Sequence, residues 1–458
     1  MTELLDLIKD PDLKDLMGKA KSETSFDDII KGLNDLNPWN APDEKETNRK
    51  DFVENLEKYF SKKEWEKEGA LEEELKKLPG IANEDKGVFI PLLAYNILEN
   101  IYSVLPHDKI NTEDTFKKKV LIALMICLPF MDYQQAFDGN LCDPRVIILG
   151  INPRFKADTF YDYEQKEEKK FMVDHMKEVY KTPIRDGNCS MMYKMNKNGE
   201  KIKPTDLHIA EDDYYYGKNG HFYPNVSDDL KEEHRSHCLG KEGKNPLAFL
   251  ELFPYASKGV NTWWNTEDLI HACKLLQYDG AVYNDIKAWA TDNIDDISNI
   301  SWVIKNKIGL KSNELLYSQQ WILCLLYCIL IKNSKSIEHD KWFVISTRSA
   351  GDLLKRLEAF INTAIKIENN PNEKKSKFCF LTTNSSRSRY LTPTNLAVVE
   401  NGVKGIKINE PNAERFWNTS DTSASQNATG STKDQENETL NNQSFRHLWG
   451  IKKKVKDK

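Results

Sequence analysis

Two short polar clusters in this chain of 458 residues carry side chains suited to chemistry on a polar ligand. In Gly150-Ile151-Asn152-Pro153, the side-chain carbonyl oxygen of Asn152 can orient a water molecule, although a neutral amide is a poor general base. The second cluster, Asn384–Arg389, holds serines and arginines, which commonly bind phosphate groups. Each cluster alone is equally typical of an ordinary turn or a helix cap, so its interpretation depends on what precedes it.

Both clusters closely follow short apolar runs that predict buried strands. Stretches with helical spacing, at about 313–331 and 353–365, lie between the later runs. Alternating strands and helices predict an α/β fold with a parallel sheet covered on both faces, and ligands of such sheets bind at the carboxyl ends of the strands. The four runs are Arg145–Leu149, Leu247–Phe253, Trp342–Ile345 and Phe378–Leu381.

The two middle runs also end in residues suited to binding. Phe253 or Tyr255 could stack on a flat ligand, although two core aromatic side chains would give the same pattern. Arg348 follows the third run and precedes the start of a helix, where an anion is favoured. A helix cap without a ligand explains that segment equally well.

Taken in order, the clusters after the first and last runs resemble motifs of the uracil-DNA glycosylase superfamily. The branch most similar is that of the mismatch-specific uracil and thymine glycosylases, and the resemblance covers about residues 144–400. It implies a three-layer αβα sandwich with a central, mostly parallel four-stranded sheet. It also implies an enzyme that flips a base out of DNA and hydrolyses the bond between that base and its sugar.

The resemblance implies a role for each matching residue. Asn152 would hold the attacking water, and the second cluster would enter the groove of the DNA. No lysine is placed to form a Schiff base, so we expect a monofunctional enzyme. The base pocket would be formed by Gly150, Ile151, Pro153, Phe155, Phe253, Tyr255 and Asn384, and DNA would be contacted by Arg154, Arg348, Ser385, Ser386, Arg387 and Arg389.

This sequence departs from the branch at several points. Arg154 stands where glycine is usual, and Ser385 stands where proline is usual. Other branches bind an iron–sulfur cluster through four cysteines, a pattern that the eight cysteines here do not form, so we expect no cofactor. A zinc site at His234–Cys238 would need a further ligand, and a polar surface loop explains that segment better, so no metal is expected either.

The pattern divides the chain into three regions. Residues 1–140 are predicted to be a helical N-terminal region, and 141–410 form the α/β core with a polar insertion at about 155–245. Residues 411–458 are predicted to be a disordered polar tail with a basic end. The insertion and N-terminal region exceed what small glycosylases need, which suggests a bulky modified base such as those of bacteriophage DNA, and hence an antiviral role.

Composition excludes little. A formal charge of −6 argues only weakly against DNA binding, because binding depends on a local basic face. Neither a secretion signal nor a membrane span is visible, and the isolated cysteines indicate a reducing, cytoplasmic location. Two alternatives remain: a catalytically silent DNA-binding module of the same fold, and an α/β enzyme that binds a nucleotide, although no Gly-rich phosphate loop is present.

Overall fold

The structure is a computed structural model of the chain. It describes residues 4–22, 24–39, 49–62, 65, 69–78, 81–105, 113–127, 130, 137–139, 141, 144–150, 228–238, 247–253, 255, 314–335, 343–347, 379–382 and 396–398, with single helical residues at 280–292 and 356–364. The 411–458 tail and the insertion, apart from residues 228–238, lie outside these ranges.

The described part of the chain has an α/β architecture built on one sheet of six strands in the order β1-β3-β2-β4-β5-β6. The four neighbouring strands β3, β2, β4 and β5 run parallel, and β1 and β6 pair antiparallel at the two edges. Their bounds are β1 Phe137–Gly139, β2 Val146–Gly150, β3 Leu247–Glu251, β4 Phe343–Thr347, β5 Cys379–Thr382 and β6 Leu396–Val398.

The sheet therefore has two strands more than the four expected from sequence. β1 and β6 have three residues each; β1, Phe-Asp-Gly, carries no apolar run, and the run of β6, Leu-Ala-Val, is short. Such short edge strands form because a neighbouring strand offers unpaired backbone groups, and this leaves almost no sequence pattern.

Strand β2 is buried on both faces of the sheet. Ile147 and Leu149 point to a face whose large apolar core includes helix α8 (Tyr317–Lys335). Val146 and Ile148 alternate to the opposite face and are also buried. Burial on both faces explains why the run Val-Ile-Ile-Leu is continuously apolar instead of alternating.

The first part of the N-terminal region belongs to the same core as the sheet. A 3-10 turn at Leu4–Leu7, helix α1 (Pro11–Lys21) and helix α2 (Phe26–Asp35) pack with α8. The side chain of Asp10 caps α1 by accepting from the backbone N–H groups of the first turn. The boundary predicted at residue 140 therefore does not separate this segment from the α/β core.

The later N-terminal helices form a second apolar core. It contains Phe52, Leu56, Tyr59 and Phe60 of α3, and it also includes Tyr255, which follows β3. The helices are α3 Arg49–Phe60, α4 Ala70–Leu75, α5 Asn83–Val104 and α6 Glu113–Cys127, and a further helix, α7 Asp228–Cys238, lies within the insertion.

Among the described residues, α5 is the one helix long and apolar enough to cross a membrane by length and composition. Half of its most apolar window is buried inside the protein, and its buried residues include Asp85, Asn96 and Asn100. A core helix passes the same test, and α5 packs against other helices on its buried side.

Replacing Trp321 with alanine should destabilise the fold strongly. Its indole is fully buried, lies 5.7 Å from the ring of Phe137 between centroids, and donates to the carbonyl oxygen of Leu33 at 2.9 Å. We expect Trp321→Ala to lower the free energy of unfolding by about 3–5 kcal/mol. Urea denaturation measures this free energy.

The control is Tyr95→Ala, at a residue 46% exposed, which should change the free energy of unfolding by less than about 0.5 kcal/mol. Equal effects of the two substitutions would contradict the assignment of Trp321 to the core.

Candidate active site

Because the four central strands are parallel, they end on the same side of the sheet. We call this side the carboxyl end of the sheet, formed by Gly150, Glu251, Thr347 and Thr382 as the last residues of β2, β3, β4 and β5. Neighbouring strands lie about 4.8 Å apart, so the four ends span roughly 15 Å. This length is suitable for a nucleotide or a short stretch of backbone.

The predicted clusters continue directly from these strand ends. Asn152 is the second residue after β2, Arg348 the first after β4, and Asn384 the second after β5. The described ends of β2, β4 and β5, which precede these three residues in the chain, all lie at the carboxyl end of the sheet. The residues Ile151, Asn152, Pro153, Arg154, Phe155, Arg348, Asn384, Ser385, Ser386, Arg387 and Arg389 themselves lie outside the described residues.

The side chain of Glu251 on the neighbouring strand closely approaches Gly150. Gly150 pairs in register with Glu251, and a Cβ at position 150 would overlap the carboxylate of Glu251. The glycine of the predicted motif thus leaves room for an acidic side chain. Glu251 was not among the residues predicted from sequence, although a charged residue that ends an otherwise apolar strand is a visible signal.

Backbone hydrogen bonds hold the end of β3 firmly. The N–H of Leu252 donates to the carbonyl oxygen of Gly150 at 3.0 Å. The carbonyl oxygen of Leu252 accepts from the side-chain amide of Gln319 at 3.1 Å. Gln319 is buried, and its own carbonyl oxygen accepts from the N–H of Leu316 at 3.1 Å, which is the second half of a capping box at the start of α8.

Tyr255 was predicted to stack on a base, and the structure contradicts this. Its side chain is fully buried in the second apolar core, 5.1 Å from the ring of Phe89 between centroids. Its hydroxyl donates to Oδ2 of Asp85 at 2.5 Å and accepts from the N–H of Ala82 at 3.2 Å. Tyr255 therefore anchors the segment after β3 to helix α5, because a buried phenol must satisfy its hydroxyl inside the protein.

Phe253 remains the aromatic residue suited to a ligand. It is only partly buried, and its ring lies 5.6 Å from that of Tyr255 and 6.4 Å from that of Phe89 between centroids. Phe253 thus packs against the second apolar core. Two residues after the end of β3, Phe253 lies close to the carboxyl end of the sheet.

Asp85 is the buried acid in this part of the protein. Its Oδ1 accepts from the N–H of Ser318 at the start of α8, at 3.1 Å. Burial raises the pKa of Asp85 above its ordinary value, and the hydrogen bonds from Ser318 and Tyr255 offset this only in part. Burial and the neighbouring Asp85 in turn raise the pKa of Tyr255 well above its ordinary value.

No protein-family model, curated protein or solved structure matches this chain. The interpretation of the site therefore depends on its own geometry. Within the described residues no group of three possible metal ligands comes together. His234, part of the segment considered for zinc, is buried in α7.

Exchanging Asp85 for asparagine should change how stability depends on pH. The folded protein holds the Asp85 proton more tightly than the unfolded chain does, because the folded-state pKa is raised. This carboxyl therefore lowers stability as the pH rises from about 4 through the raised pKa, by up to about 1.4 kcal/mol per pH unit. Asparagine has no proton to lose, so we expect the unfolding free energy of Asp85→Asn not to fall in this way. The variant should therefore become more stable relative to the wild type as the pH rises.

Urea denaturation at several pH values above about 4, the ordinary aspartate pKa, measures this difference. Asp35→Asn, at an exposed position at the end of α2, is the matched control and should keep the wild-type slope. Parallel curves for Asp85→Asn and the wild type would contradict the raised pKa.

The contact between Gly150 and Glu251 can be tested by a double-mutant cycle. Gly150→Ala forces the Glu251 carboxylate away and should cost about 1–3 kcal/mol of unfolding free energy. In a Glu251→Ala background the space is open, so the same change should cost at least about 0.5 kcal/mol less. Urea denaturation of the four proteins measures the coupling.

The control is Gly18→Ala in helix α1, where a Cβ would meet nothing within 4 Å. It should be neutral or stabilise by up to about 1 kcal/mol in both backgrounds. Additive effects of Gly150→Ala and Glu251→Ala would show that the carboxylate does not lie over Gly150.

Proposed function

We propose that this protein is a monofunctional DNA glycosylase, which hydrolyses the bond between a flipped-out base and its deoxyribose. The observation that supports this most is the parallel order β3-β2-β4-β5, which starts the Asn152, Arg348 and Asn384 segments from one side of the sheet. Helices pack on one face of the sheet, and Val146 and Ile148 of β2 are buried on the opposite face, in keeping with a three-layer αβα sandwich.

The chemistry needs little nucleophilic assistance. Breaking an N-glycosidic bond passes through a sugar with oxocarbenium character, as glycoside hydrolysis does. The amide of Asn152 orients the attacking water through its carbonyl oxygen. Phe253, supported from behind by the second apolar core, offers a face on which the extruded base stacks.

The polar segments around the carboxyl end of the sheet engage the DNA. A base inside a duplex is unreachable, so the enzyme extrudes it and must hold the distorted backbone. Arg387 and Arg389 follow Asn384 within five residues, and Arg348 and Arg154 each follow another strand end. Arginine and serine donors there bind phosphates and set the position of the DNA without selecting its sequence.

The substrate is a uracil-like or modified base. Arg154, where glycine is usual in the branch that this chain resembles, changes the charge at the pocket entrance, and the 155–245 insertion adds material between β2 and β3. Both features favour a bulky modified base such as those of bacteriophage DNA. In that case the enzyme acts in defence, in the cytoplasm.

Excision is tested with DNA duplexes and single strands that carry uracil, a thymine mismatch, or hydroxymethylated or glucosylated cytosine. After incubation, alkali cuts the DNA wherever a base is missing. We expect the wild type to produce cuts on at least one substrate and Asn152→Ala to slow them by about 100-fold or more, the typical contribution of a residue that activates water.

The same samples distinguish the alternatives. If no substrate is cut but the wild type and Asn152→Ala both bind DNA, the protein is a DNA-binding module and not a glycosylase. Binding of free nucleotides in preference to DNA would indicate a nucleotide enzyme. Excision of plain uracil alone would contradict the modified-base assignment while leaving the glycosylase assignment intact.

A further inference from the structure

Glu251 is an acidic side chain at the carboxyl end of the sheet to which the motif resemblance gives no role. We propose that Glu251 is a second catalytic residue of the glycosylase site, whose carboxylate accepts the proton of the attacking water and stabilises the sugar cation. This inference depends on the proposed function, because it assigns a role within that same reaction.

The position of the carboxylate is set by strand alternation and register. Along β3, Leu247, Phe249 and Glu251 share one face, opposite the face that packs on α8. Glu251 is paired with Gly150 on the neighbouring strand, and its carboxylate occupies the space left by the missing Cβ. It therefore lies at the strand end from which Asn152 follows two residues later.

The support of Glu251 is rigid. Its own strand ends there, and the next residue, Leu252, is fixed through its N–H to Gly150 and through its carbonyl oxygen to Gln319. Further along, Tyr255 is anchored to Asp85. A group on a strand held at both sides keeps its place during the reaction, which is what electrostatic catalysis requires.

The carboxylate supplies what the amide of Asn152 lacks. As the C1′–N bond breaks, its electron pair leaves with the base, and C1′ becomes electron-poor. The water oxygen forms the new C1′–O bond, the water proton passes to the Glu251 carboxylate, and the departing base takes up a proton from solvent. An amide can orient that water but cannot hold its proton, whereas a carboxylate does so and carries a negative charge near the cation.

The two roles together widen the range of possible substrates. With Asn152 alone, the enzyme should be slow or restricted to bases that leave readily. With Glu251 as the proton acceptor, one residue orients the water and another accepts its proton. Bases that are poor leaving groups then become possible substrates.

The test is single-turnover excision by the full chain on the substrate found for the wild type. Glu251→Gln keeps the shape of the side chain and removes its charge. We expect its rate to fall by about 100-fold or more, with DNA affinity changed by less than about threefold, because a proton acceptor contributes about 100- to 10,000-fold. The matched control Glu73→Gln, on the exposed side of α4, should keep the wild-type rate.

A second variant separates catalysis from folding. In Glu251→Ala the carboxylate is replaced by open space beside Gly150. Added formate, a small carboxylate, should then raise the rate of this variant by at least about tenfold, because it supplies part of the contribution of the missing proton acceptor. Formate should not accelerate Asn152→Ala or the wild type.

The outcomes are distinct. A Glu251→Gln rate within about threefold of the wild type, well short of a general-base loss, would overturn the role of Glu251 and leave the glycosylase assignment standing. Loss of rate together with DNA affinity, without rescue by formate, would show a structural role and overturn it as well. A wild type inactive on every substrate would overturn the glycosylase assignment itself, and this inference with it.

Discussion

Three consecutive side chains at the start of helix α8 connect the parts of this fold. Gln319 donates to the carbonyl oxygen of Leu252 after β3, Gln320 accepts from the N–H groups of Lys9 and Asp10, and Trp321 donates to Leu33 in α2. Each of these backbone groups would lose its hydrogen bond if α8 moved. Buried backbone groups without partners cost several times the net gain of a hydrogen bond, so α8 has essentially one permitted position.

These contacts explain why the N-terminal segment of residues 4–39 is part of the main core. The apolar residues of α1 and α2 cover the side of α8 that would otherwise face water, and the three-residue turn at Lys9–Pro11 is held by Gln320. Helix α5 is joined to the same point through Asp85, which accepts from Ser318 and Tyr255. The start of α8 is therefore where the sheet, the N-terminal helices α1 and α2, and helix α5 meet.

Close packing at the carboxyl end of the sheet explains the candidate site in the same terms. The glycine that ends β2 has no positive φ angle, and the side chain of Glu251 lies over it. Tyr255 was a candidate for base stacking from sequence alone. In the structure its hydroxyl instead forms the buried hydrogen bonds that hold the segment after β3. Phe253 keeps a partly exposed ring because Tyr255 and Phe89 support only part of it.

The sequence by itself determined the α/β class and the positions of the four parallel strands, because a continuous apolar run bounded by turn residues has few other solutions. It also determined the buried face of α3, since helical spacing is a local property, and the burial of α8, since that segment is continuously apolar. The edge strands β1 and β6 could not be predicted, because they depend on a neighbouring strand and not on their own residues. Likewise, only the tertiary structure decided that residues 4–39 belong to the core of the sheet, that Tyr255 is an anchor, and that Glu251 lies over Gly150. These three results depend on contacts between residues about 100 to 300 positions apart, and no local pattern records which distant group will satisfy a buried hydroxyl or fill the space beside a glycine.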